Sequence, residues 1–323
     1  MKKLLKVLGA LLGILILLVA ILFGVNAYNR HKYAVPPLGE YQTSEQIQPV
    51  QGEYLNGFHF TPTDKRHRGV VVTFGGSEGS PDYGRAKQLW EEGYEVYALF
   101  FFGQPNQKES LAEVPLEFFD EVTALIPEGP VTVIGTSKGA ELVANLAARD
   151  AKIDNIVLYT ATEYTYQGLA FGKKEMSSFA KDGQPVPYLS FRNSEPGASM
   201  KMFLDMMLGL PIRYRETYST IPPRADNTAE ARIPIENFQG NGLVFAGDQD
   251  AMWQGEVAAR GLAERNPRLE AHVYPDAGHM FSEDITEFGR SWEKMFGGTV
   301  EGNRAAKQDS ERVLMDKLAT WHR

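Results

Sequence analysis

The chain has 323 residues, of which 43% are hydrophobic, so it is long enough for one large α/β domain, or two small ones, with a sizeable core. Its formal net charge of −8 argues against a nucleic-acid-binding surface. The absence of cysteine excludes disulfides, thiolate catalysis and cysteine-ligated zinc. The six histidines show no metal-ligand spacing, and we therefore expect neither a metal nor a cofactor.

The N-terminus is apolar. The run from Val7 to Val25 carries no charge and has about the length needed to cross a hydrocarbon core roughly 30 Å thick. We predict a transmembrane anchor over residues 1–25, with residues 4–25 in the membrane. A cleaved signal peptide is the alternative, because Val25-Asn26-Ala27 resembles a cleavage site, although the apolar region of signal peptides is usually shorter.

The charges around this segment predict its orientation. Lys2, Lys3 and Lys6 precede the apolar run together with the terminal amine, whereas Arg30 and Lys32 follow it. The positive-inside rule then places the N-terminus in the cytoplasm and the rest of the chain outside it. Residues 26–49 contain prolines and many polar residues, and we predict a linker there, followed by one domain over residues 50–323.

Strands alternate with helices through most of this domain. The pattern predicts strands at about 52–61 (at a sheet edge), 70–74, 94–102, 131–134, 153–159, 242–247 and 269–274, and helices at about 83–92, 115–125, 140–149 and 303–321. Such alternation favours a mainly parallel central sheet with helices on both faces.

The alternation fails between residues 162 and 235. Structureless segments of this length are rare in compact domains and are usually functional, so we predict a lid inserted over the carboxyl end of the sheet. Within it, Met200 to Leu208 is predicted as a short apolar helix that either packs on the domain or lines a substrate pocket.

Gly135-Thr136-Ser137-Lys138-Gly139 links a β-branched run to a helical pattern. A serine between glycines on a sharp strand-to-helix turn is the pattern of a nucleophile elbow. The glycines allow the strand and the helix to approach each other closely. We therefore predict that Ser137 is a nucleophile; the alternative is a glycine-rich loop that carries an idle serine.

A serine nucleophile needs a base and a carboxylate that orients the base, and α/β-hydrolases place them in the order Ser, Asp or Glu, His. The strand at 242–247 runs into Asp248 and Asp250, and the last strand runs into His279. We prefer Asp250 as the acid because of its offset from the strand, since Asp248 is placed to cap the turn. His279 is predicted as the base, because the other histidines fall in the linker, in strands, in a loop and in the tail.

An oxyanion hole requires two backbone N–H groups near the nucleophile. In this fold, one belongs to the residue after the nucleophile, here Lys138, and the other to the loop after the third strand. We predict Ser77 as the second donor, with Gly76 as the alternative.

Several stretches together resemble the C-terminal hydrolase domain of the acyl-CoA thioesterase and bile acid–CoA:amino acid N-acyltransferase family. The residues that carry the resemblance are the elbow Gly135 to Leu142, Gly75 to Gly79, Pro115 to Phe119, Ile233 to Glu236, Gly247 to Trp253 and Tyr274 to His279. The resemblance implies an α/β-hydrolase fold with Ser137 as nucleophile, Asp250 as acid and His279 as base. Larger members carry an N-terminal immunoglobulin-like domain, for which the residues before position 50 are too few.

These features predict a membrane-anchored serine hydrolase that cleaves a small-molecule ester or thioester through an acyl-enzyme. An acyltransferase, in which an amine or alcohol replaces water, is an alternative that differs only in the acceptor. A non-catalytic binding module at the membrane is a third interpretation, which the intact order of serine, aspartate and histidine disfavours.

Overall fold

The protein is described here by a computed structural model that covers residues 2–37, 39–126, 128–149, 152–170 and 172–323. Its central sheet contains eight strands. They are β1 (Ile47–Gln51), β2 (Asn56–Phe60), β3 (Val70–Phe74), β4 (Val96–Phe100), β5 (Val131–Thr136), β6 (Asn155–Tyr159), β7 (Asn241–Gly247) and β8 (Leu269–Tyr274).

The strands lie in the order β1-β2-β4-β3-β5-β6-β7-β8. Strand β2 runs antiparallel to both of its neighbours, β1 and β4. Every other pair of neighbouring strands, from β4-β3 across the sheet to β7-β8, is parallel. The carboxyl ends of six strands therefore meet at one edge, where the loops that follow them can share a site. This is the α/β-hydrolase architecture that the sequence predicts.

Ten α-helices surround or extend the sheet within the described residues. They are α1 (Lys2–Lys32), α2 (Tyr83–Glu91), α3 (Phe118–Leu125), α4 (Lys138–Arg149), α5 (Pro196–Leu208), α6 (Tyr214–Thr220), α7 (Thr228–Ala231), α8 (Gly255–Arg265), α9 (Trp292–Met295) and α10 (Val300–Trp321).

Two apolar clusters cover the two faces of the sheet. Side chains of α3, α4 and α8 pack in one cluster with Val70, Val72 and Phe74, whereas α2 and α10 pack in the other with Val71. This division follows from the period of two along a strand, which directs alternate side chains to opposite faces. Because both faces are covered, the central strands are continuously apolar rather than alternating.

The first predicted strand is wrong in its extent. Residues 52–61 do not form one edge strand; β1 and β2 form a hairpin instead, in which Ile47 pairs with Phe60, and β1 is the edge strand. The domain boundary expected at residue 50 therefore falls inside β1. Polar residues and Pro49 hide this strand in the sequence, and its core contacts come from the buried Ile47 and the partly buried Val50, which pack against different clusters.

The segment predicted as a lid lies between β6 and β7 and contains more regular structure than its sequence suggests. Two short strands, Phe179–Lys181 and Gln184–Pro185, form a small sheet with Val114–Pro115, so Pro115 belongs to a strand and not to helix α3. Helices α5, α6 and α7 follow. The segment has its own apolar cluster around Tyr166 and Tyr218, which continues onto Trp253 of the main domain. Phe171 of this segment lies outside the described residues.

Helix α1 continues past the predicted anchor into the predicted linker, as far as Lys32. Residues Lys3–Lys32 are long and apolar enough to cross a membrane, and none of the apolar window is buried within the protein. By length and composition this helix suits a membrane span or a signal sequence. Met1 lies outside the described residues.

Candidate active site

Ser137 lies at the junction between β5 and α4 with a φ of +58°, a conformation that is unusual for a residue other than glycine. Its backbone N–H donates to the carbonyl oxygen of Tyr159 at 2.9 Å, which fixes the turn to the neighbouring strand β6. Strained backbone of this kind persists where the surrounding structure determines it and is frequent at active sites.

Glycines on both sides of Ser137 allow the turn to be this tight. A Cβ atom added to Gly139 would lie 2.0 Å from the carbonyl oxygen of Gly75, and one added to Gly135 would lie 2.3 Å from the carbonyl oxygen of Gly139. Neither distance is possible for a real side chain. Strand β5, the loop after β3 and helix α4 therefore meet in backbone contact at this position.

The structure brings Ser137, His279 and Asp250 together. The Oγ atom of Ser137 lies 2.9 Å from Nε2 of His279, and Nδ1 of His279 lies 2.8 Å from Oδ2 of Asp250. All three side chains are buried: Ser137 is 5% exposed, His279 2% and Asp250 1%. Because Asp250 is the acceptor at Nδ1, the imidazole is oriented with Nε2 free to accept the hydroxyl proton of Ser137.

The second oxygen of Asp250 is held by backbone. Its Oδ1 accepts the N–H groups of Met252 and Trp253 at 2.7 and 3.2 Å. Asp248 lies elsewhere in the same loop, where its Oδ1 accepts the N–H of Asp276 at 2.8 Å and braces the turn after β8. The structure therefore places Asp250, and not Asp248, beside the imidazole.

The loop after β3 passes over Ser137. A Cβ atom on Gly76 would lie 3.2 Å from Cβ of Ser137, so this backbone is in near contact with the nucleophile. The N–H of Gly76 donates to Oε1 of Glu78 at 2.9 Å. Among the described residues, the N–H groups of Ser77 and Lys138 have no protein acceptor. Of the two residues considered for the second oxyanion donor, Ser77 is thus the one with a free N–H.

The side chain of Lys138 points away from Ser137 into the protein. Its Nζ lies 2.7 Å from Oε2 of Glu141, and the two side chains are 1% and 0% exposed. The other oxygen of Glu141 accepts the N–H of Tyr166 at 3.0 Å. Burial raises the pKa of Glu141, and the ammonium group of Lys138 opposes this shift. The ion pair thus joins the first turn of α4 to the start of the inserted segment.

Two residues beside the site, Arg215 and Trp253, are not among the predicted site residues. Arg215 of α6 donates from Nη1 to the carbonyl oxygens of Asp250 at 2.6 Å and Trp253 at 3.1 Å, and pairs with Glu256. The ring of Trp253 packs edge-on against His279 with centroids 4.8 Å apart. Trp253 follows Asp250 closely enough to be suspected, but only the fold brings Arg215 to this loop.

The remaining histidines lie away from Ser137. His59 contacts Glu95, His67 stacks on Tyr94, His272 lies in β8 against Phe245, and His31 lies in α1. His322, expected in the C-terminal tail, directly follows α10 and is buried, with its Nε2 atom 2.7 Å from Oγ1 of Thr132. No group of three or more His, Asp and Glu side chains suited to a metal ion occurs in the described part of the chain.

Comparison with known proteins identifies the family of this chain. Residues 114–310, which make up more than half of the chain, match the family described as BAAT / Acyl-CoA thioester hydrolase C terminal. The chain belongs to this family. The resemblance stated from the motifs is confirmed, and the matched range contains Ser137, Asp250 and His279.

Curated relatives in the family include both thioesterases and acyltransferases. Acyl-coenzyme A thioesterase 6 of Mus musculus is 27% identical over 72% of this chain and 53% of its own length. Acyl-coenzyme A amino acid N-acyltransferase 1 of Mus musculus is 24% identical over 84% of this chain and 63% of its own length. The chain therefore spans little more than half the length of the thioesterase and under two thirds of the acyltransferase.

Solved structures show the same fold. An esterase from Pyrococcus furiosus superposes with a TM-score of 0.53 at 15% identity, covering 90% of this chain and 97% of the esterase. An α/β hydrolase from a Penicillium species superposes with a TM-score of 0.50 at 12% identity, covering 85% of this chain and 99% of the hydrolase. These similarities show that the chain has the α/β-hydrolase fold.

Proposed function

We propose that this protein is a serine hydrolase, held at a membrane by α1, that cleaves an ester or thioester of a small acyl substrate through an acyl-enzyme. The observation that carries the proposal is the unbroken chain of contacts from Ser137 Oγ to His279 and from His279 to Asp250. A strained nucleophile elbow and two free N–H groups beside it support the same chemistry.

In the acylation step, His279 Nε2 takes the proton of Ser137 while Oγ attacks the substrate carbonyl carbon. Asp250 stabilises the imidazolium that forms, because its Oδ2 accepts from Nδ1 and its Oδ1 is already held by two backbone N–H groups. His279 then gives the proton to the leaving alcohol or thiol, and the acyl group stays on Ser137.

The negative charge on the carbonyl oxygen needs donors that are in place before the reaction. Lys138 supplies a backbone N–H at the N-terminus of α4, where the helix dipole adds positive potential. Ser77 supplies the second N–H. Water, activated by His279, then attacks the acyl-enzyme and releases the acid.

The substrate class follows from the family. The relatives named as acyl-coenzyme A thioesterases and as N-acyltransferases suggest an acyl group on a thioester as the electrophile. The solved structures show the fold of esterases without adding substrate information. An oxygen ester is the alternative substrate that the same residues accept, because the chemistry at Ser137 is identical.

Transfer of the acyl group to an amine is the second candidate function. It is favoured by the relatives named as acyltransferases, one of which aligns over 85% of this chain. Both functions share the acyl-enzyme, and they differ in whether water or an amine reaches it first.

The membrane anchor is supported by the apolar surface of α1, of whose apolar window no part is buried within the protein, and by contacts at its polar end. The side-chain amides of Asn26 and Asn29 donate to carbonyl oxygens at the end of α5, so residues just after the apolar run are part of the folded protein. These contacts favour a retained helix over a cleaved signal. The lysines before the run support, through the positive-inside rule, a hydrolase domain outside the cytoplasm.

A fluorophosphonate probe tests the enzyme proposal directly. The wild-type chain should be labelled, and Ser137→Ala should not be. Ser219→Ala is a matched control, because Ser219 lies in α6 and bonds only to a backbone carbonyl there. Absence of labelling in folded wild-type protein would refute both the hydrolase and the acyltransferase.

A substrate panel then separates the candidates. Acyl-CoA thioesters and simple carboxylic esters of several chain lengths are incubated with protein that reacts with the fluorophosphonate probe. Each substrate is tested with and without an added amino acid. Formation of free acid alone supports hydrolysis, whereas an N-acyl amino acid supports transfer. Protease added to intact cells tests the orientation, because protection of the domain would place it in the cytoplasm.

A further inference from the structure

The outer face of helix α5 is apolar, although it faces away from the protein. We define this outer face by Met200, Phe203, Leu204 and Met207, which are spaced as one stripe along the helix. Met200, Phe203 and Leu204 are 57%, 52% and 47% exposed, and Met207 is 39% exposed. Four large apolar side chains in one exposed stripe differ from the scattered apolar residues of an ordinary surface.

The two charged residues of α5, Lys201 and Asp205, lie outside this stripe. Asp205 is buried beneath the helix, where its carboxylate accepts two hydrogen bonds of 2.8 Å from the guanidinium of Arg213. Lys201 lies at the flank of the helix and pairs with Glu216 of α6 at 2.9 Å. A surface helix usually buries apolar residues, whereas α5 buries the charged Asp205 and exposes an apolar stripe beside Lys201.

The end of α5 is attached to α1. The amide of Asn26 donates to the carbonyl oxygens of Met206 and Met207 at 3.3 and 2.9 Å, and that of Asn29 to the carbonyl oxygen of Leu208 at 2.8 Å. These carbonyls are among the groups that a helix leaves unpaired at its C-terminus. Side chains of α1 therefore cap α5.

The position of this attachment along α1 is informative. Asn26 is the first residue after the uncharged run that ends at Val25, and Arg30 and Lys32 follow it at exposed positions. When the uncharged run occupies a hydrocarbon core, Asn26 lies at the boundary between acyl chains and headgroups. Arg30 and Lys32 then lie among the headgroups, where basic side chains are favourable. Met207, the last residue of the outer face, is bonded to Asn26 through its carbonyl oxygen and therefore lies next to this boundary.

We propose that the outer face of α5 is inserted into the interfacial layer of the same phospholipid bilayer that α1 spans. Helices with an apolar stripe and polar flanks bind in the plane of the interface in this way. The inference rests on the membrane anchor of the proposed function and adds a second contact with the membrane, in the segment over the sheet.

This contact defines the source of the substrate. The chain segment between β6 and β7 continues from α5 into α6 through Arg213, which pairs with Asp205. In α6, Tyr218 packs on Trp253 with ring centroids 5.4 Å apart, and Trp253 in turn packs on His279. A segment that lies in the interface and also contacts the residues around the imidazole places the site close to the bilayer. Acyl esters or thioesters dissolved in the membrane are therefore the favoured substrate class.

Spin-label depth measurements test the membrane contact. Because the chain has no cysteine, single cysteines introduced from Ser199→Cys to Leu208→Cys can be labelled one at a time in the full chain. In phosphatidylcholine vesicles with a minor share of phosphatidylglycerol, labels on the outer face should be accessible to oxygen and shielded from a water-soluble nickel reagent. Leu125→Cys, on an equally exposed leucine of α3, is the control and should remain accessible to nickel.

Two results would overturn the contact with lipid. One is nickel accessibility on the outer face equal to that at Leu125→Cys. The other is dipolar coupling between labels at Phe203→Cys on separate molecules, which would show that a second copy of the chain covers this face. A periodic variation of depth along α5, with maxima at the four outer positions, supports the proposal.

An activity measurement tests the substrate source separately. A variant in which Met200, Phe203, Leu204 and Met207 are all replaced by glutamine should hydrolyse a long-chain ester embedded in vesicles about tenfold more slowly or worse, because an apolar surface is lost. Its hydrolysis of a water-soluble short-chain ester should be unchanged. A variant that keeps the wild-type rate on the ester in vesicles would refute the inference about the substrate source. A wild-type chain that is inserted in the membrane yet inactive on every ester and thioester would refute the proposed function and leave the membrane contact of α5 standing.

Discussion

Replacing Lys138 by methionine is expected to destabilise the protein without impairing its chemistry. Lys138 follows the nucleophile directly and is one of the residues that carry the family resemblance, so a catalytic role for its ammonium group is the obvious hypothesis. The structure gives that group a different partner, the buried carboxylate of Glu141 at 2.7 Å. The proposed oxyanion donor is the backbone N–H of Lys138, which methionine retains.

The magnitude follows from burial. Removal of Lys138 leaves the carboxylate of Glu141 unpaired and fully buried, and breaking such a pair costs about 3–5 kcal/mol. With a urea dependence of about 3 kcal/mol per molar, the unfolding midpoint should fall by about 1–1.7 M. Adding Glu141→Gln removes the uncompensated charge while retaining an oxygen for the N–H of Tyr166, so the double variant should recover most of this loss.

Two measurements are needed on each variant. Urea unfolding of the full chain in detergent micelles, followed by tryptophan fluorescence, gives the change in the free energy of unfolding. Turnover of a water-soluble ester, divided by the number of sites titrated with fluorophosphonate, gives kcat for each folded molecule. We expect a large fall in the midpoint for Lys138→Met and a kcat within about threefold of wild type.

The opposite pattern would refute this reasoning. If Lys138→Met kept the wild-type unfolding midpoint but lost about a hundredfold in kcat, the ammonium group would act on the transition state and not on stability. Failure of Glu141→Gln to restore the midpoint would likewise show that the loss does not arise from an unpaired carboxylate.

Four further predictions concern the loop that carries Asp250 and the stability of the fold. Arg215→Met should lower kcat by about ten- to a hundredfold, because the loop that carries Asp250 loses its clamp; wild-type turnover would contradict this. His322 is buried and its pKa is lowered by desolvation, so the unfolded state binds more protons below about pH 6.5, and stability should fall as pH decreases from 7.5 to 5.5. His322→Gln should flatten this dependence in urea titrations. Gly139→Ala should cost about 3 kcal/mol or more through a clash with the loop after β3. Gly84→Ala in α2 is the counterpart, because the added Cβ meets no atom within 4 Å. In the same urea assay it should stabilise the protein by about 0.5–1 kcal/mol.

The pH prediction has a structural basis in addition to burial. Nδ1 of His322 lies 2.6 Å from the carbonyl oxygen of Arg68, which can only accept, so Nδ1 carries the proton. Nε2 is then the acceptor for the hydroxyl of Thr132. Protonation at Nε2 removes that acceptor, which agrees with a neutral imidazole in the folded state. A slope that persists in His322→Gln would assign the pH dependence to other groups.

Local patterns in the sequence determined the architecture of the sheet. Uninterrupted apolar runs such as Val70 to Phe74 suit strands that are covered on both faces, and their alternation with helices predicted the correct fold class. The family was predicted from the motifs around Ser137, Asp250 and His279. The hairpin of β1 and β2 was not foreseen as two strands, because Pro49 and glutamines interrupt the alternation. Pairing of Ile47 with Phe60 across the hairpin depends on the partner strand and has no local signal.

The residues of the candidate site were predictable for a related reason. Ser137, Asp250 and His279 each follow a strand of a parallel sheet, and the carboxyl ends of such strands meet at one edge whatever the spacing in sequence. Their side-chain contacts in the structure agree with this expectation, and their catalytic roles remain a prediction for the probe experiment.

By itself, then, the sequence determined the order of the elements, the edge of the sheet at which chemistry can occur and the apolar N-terminal helix, because each depends on local periodicity or on chain order. Only the tertiary structure decided the partner of Lys138, the clamp of Arg215 on the acid loop and the outward direction of the apolar stripe on α5. These features join segments that are distant in sequence, and a side chain acquires such a role only from the surroundings that folding brings to it.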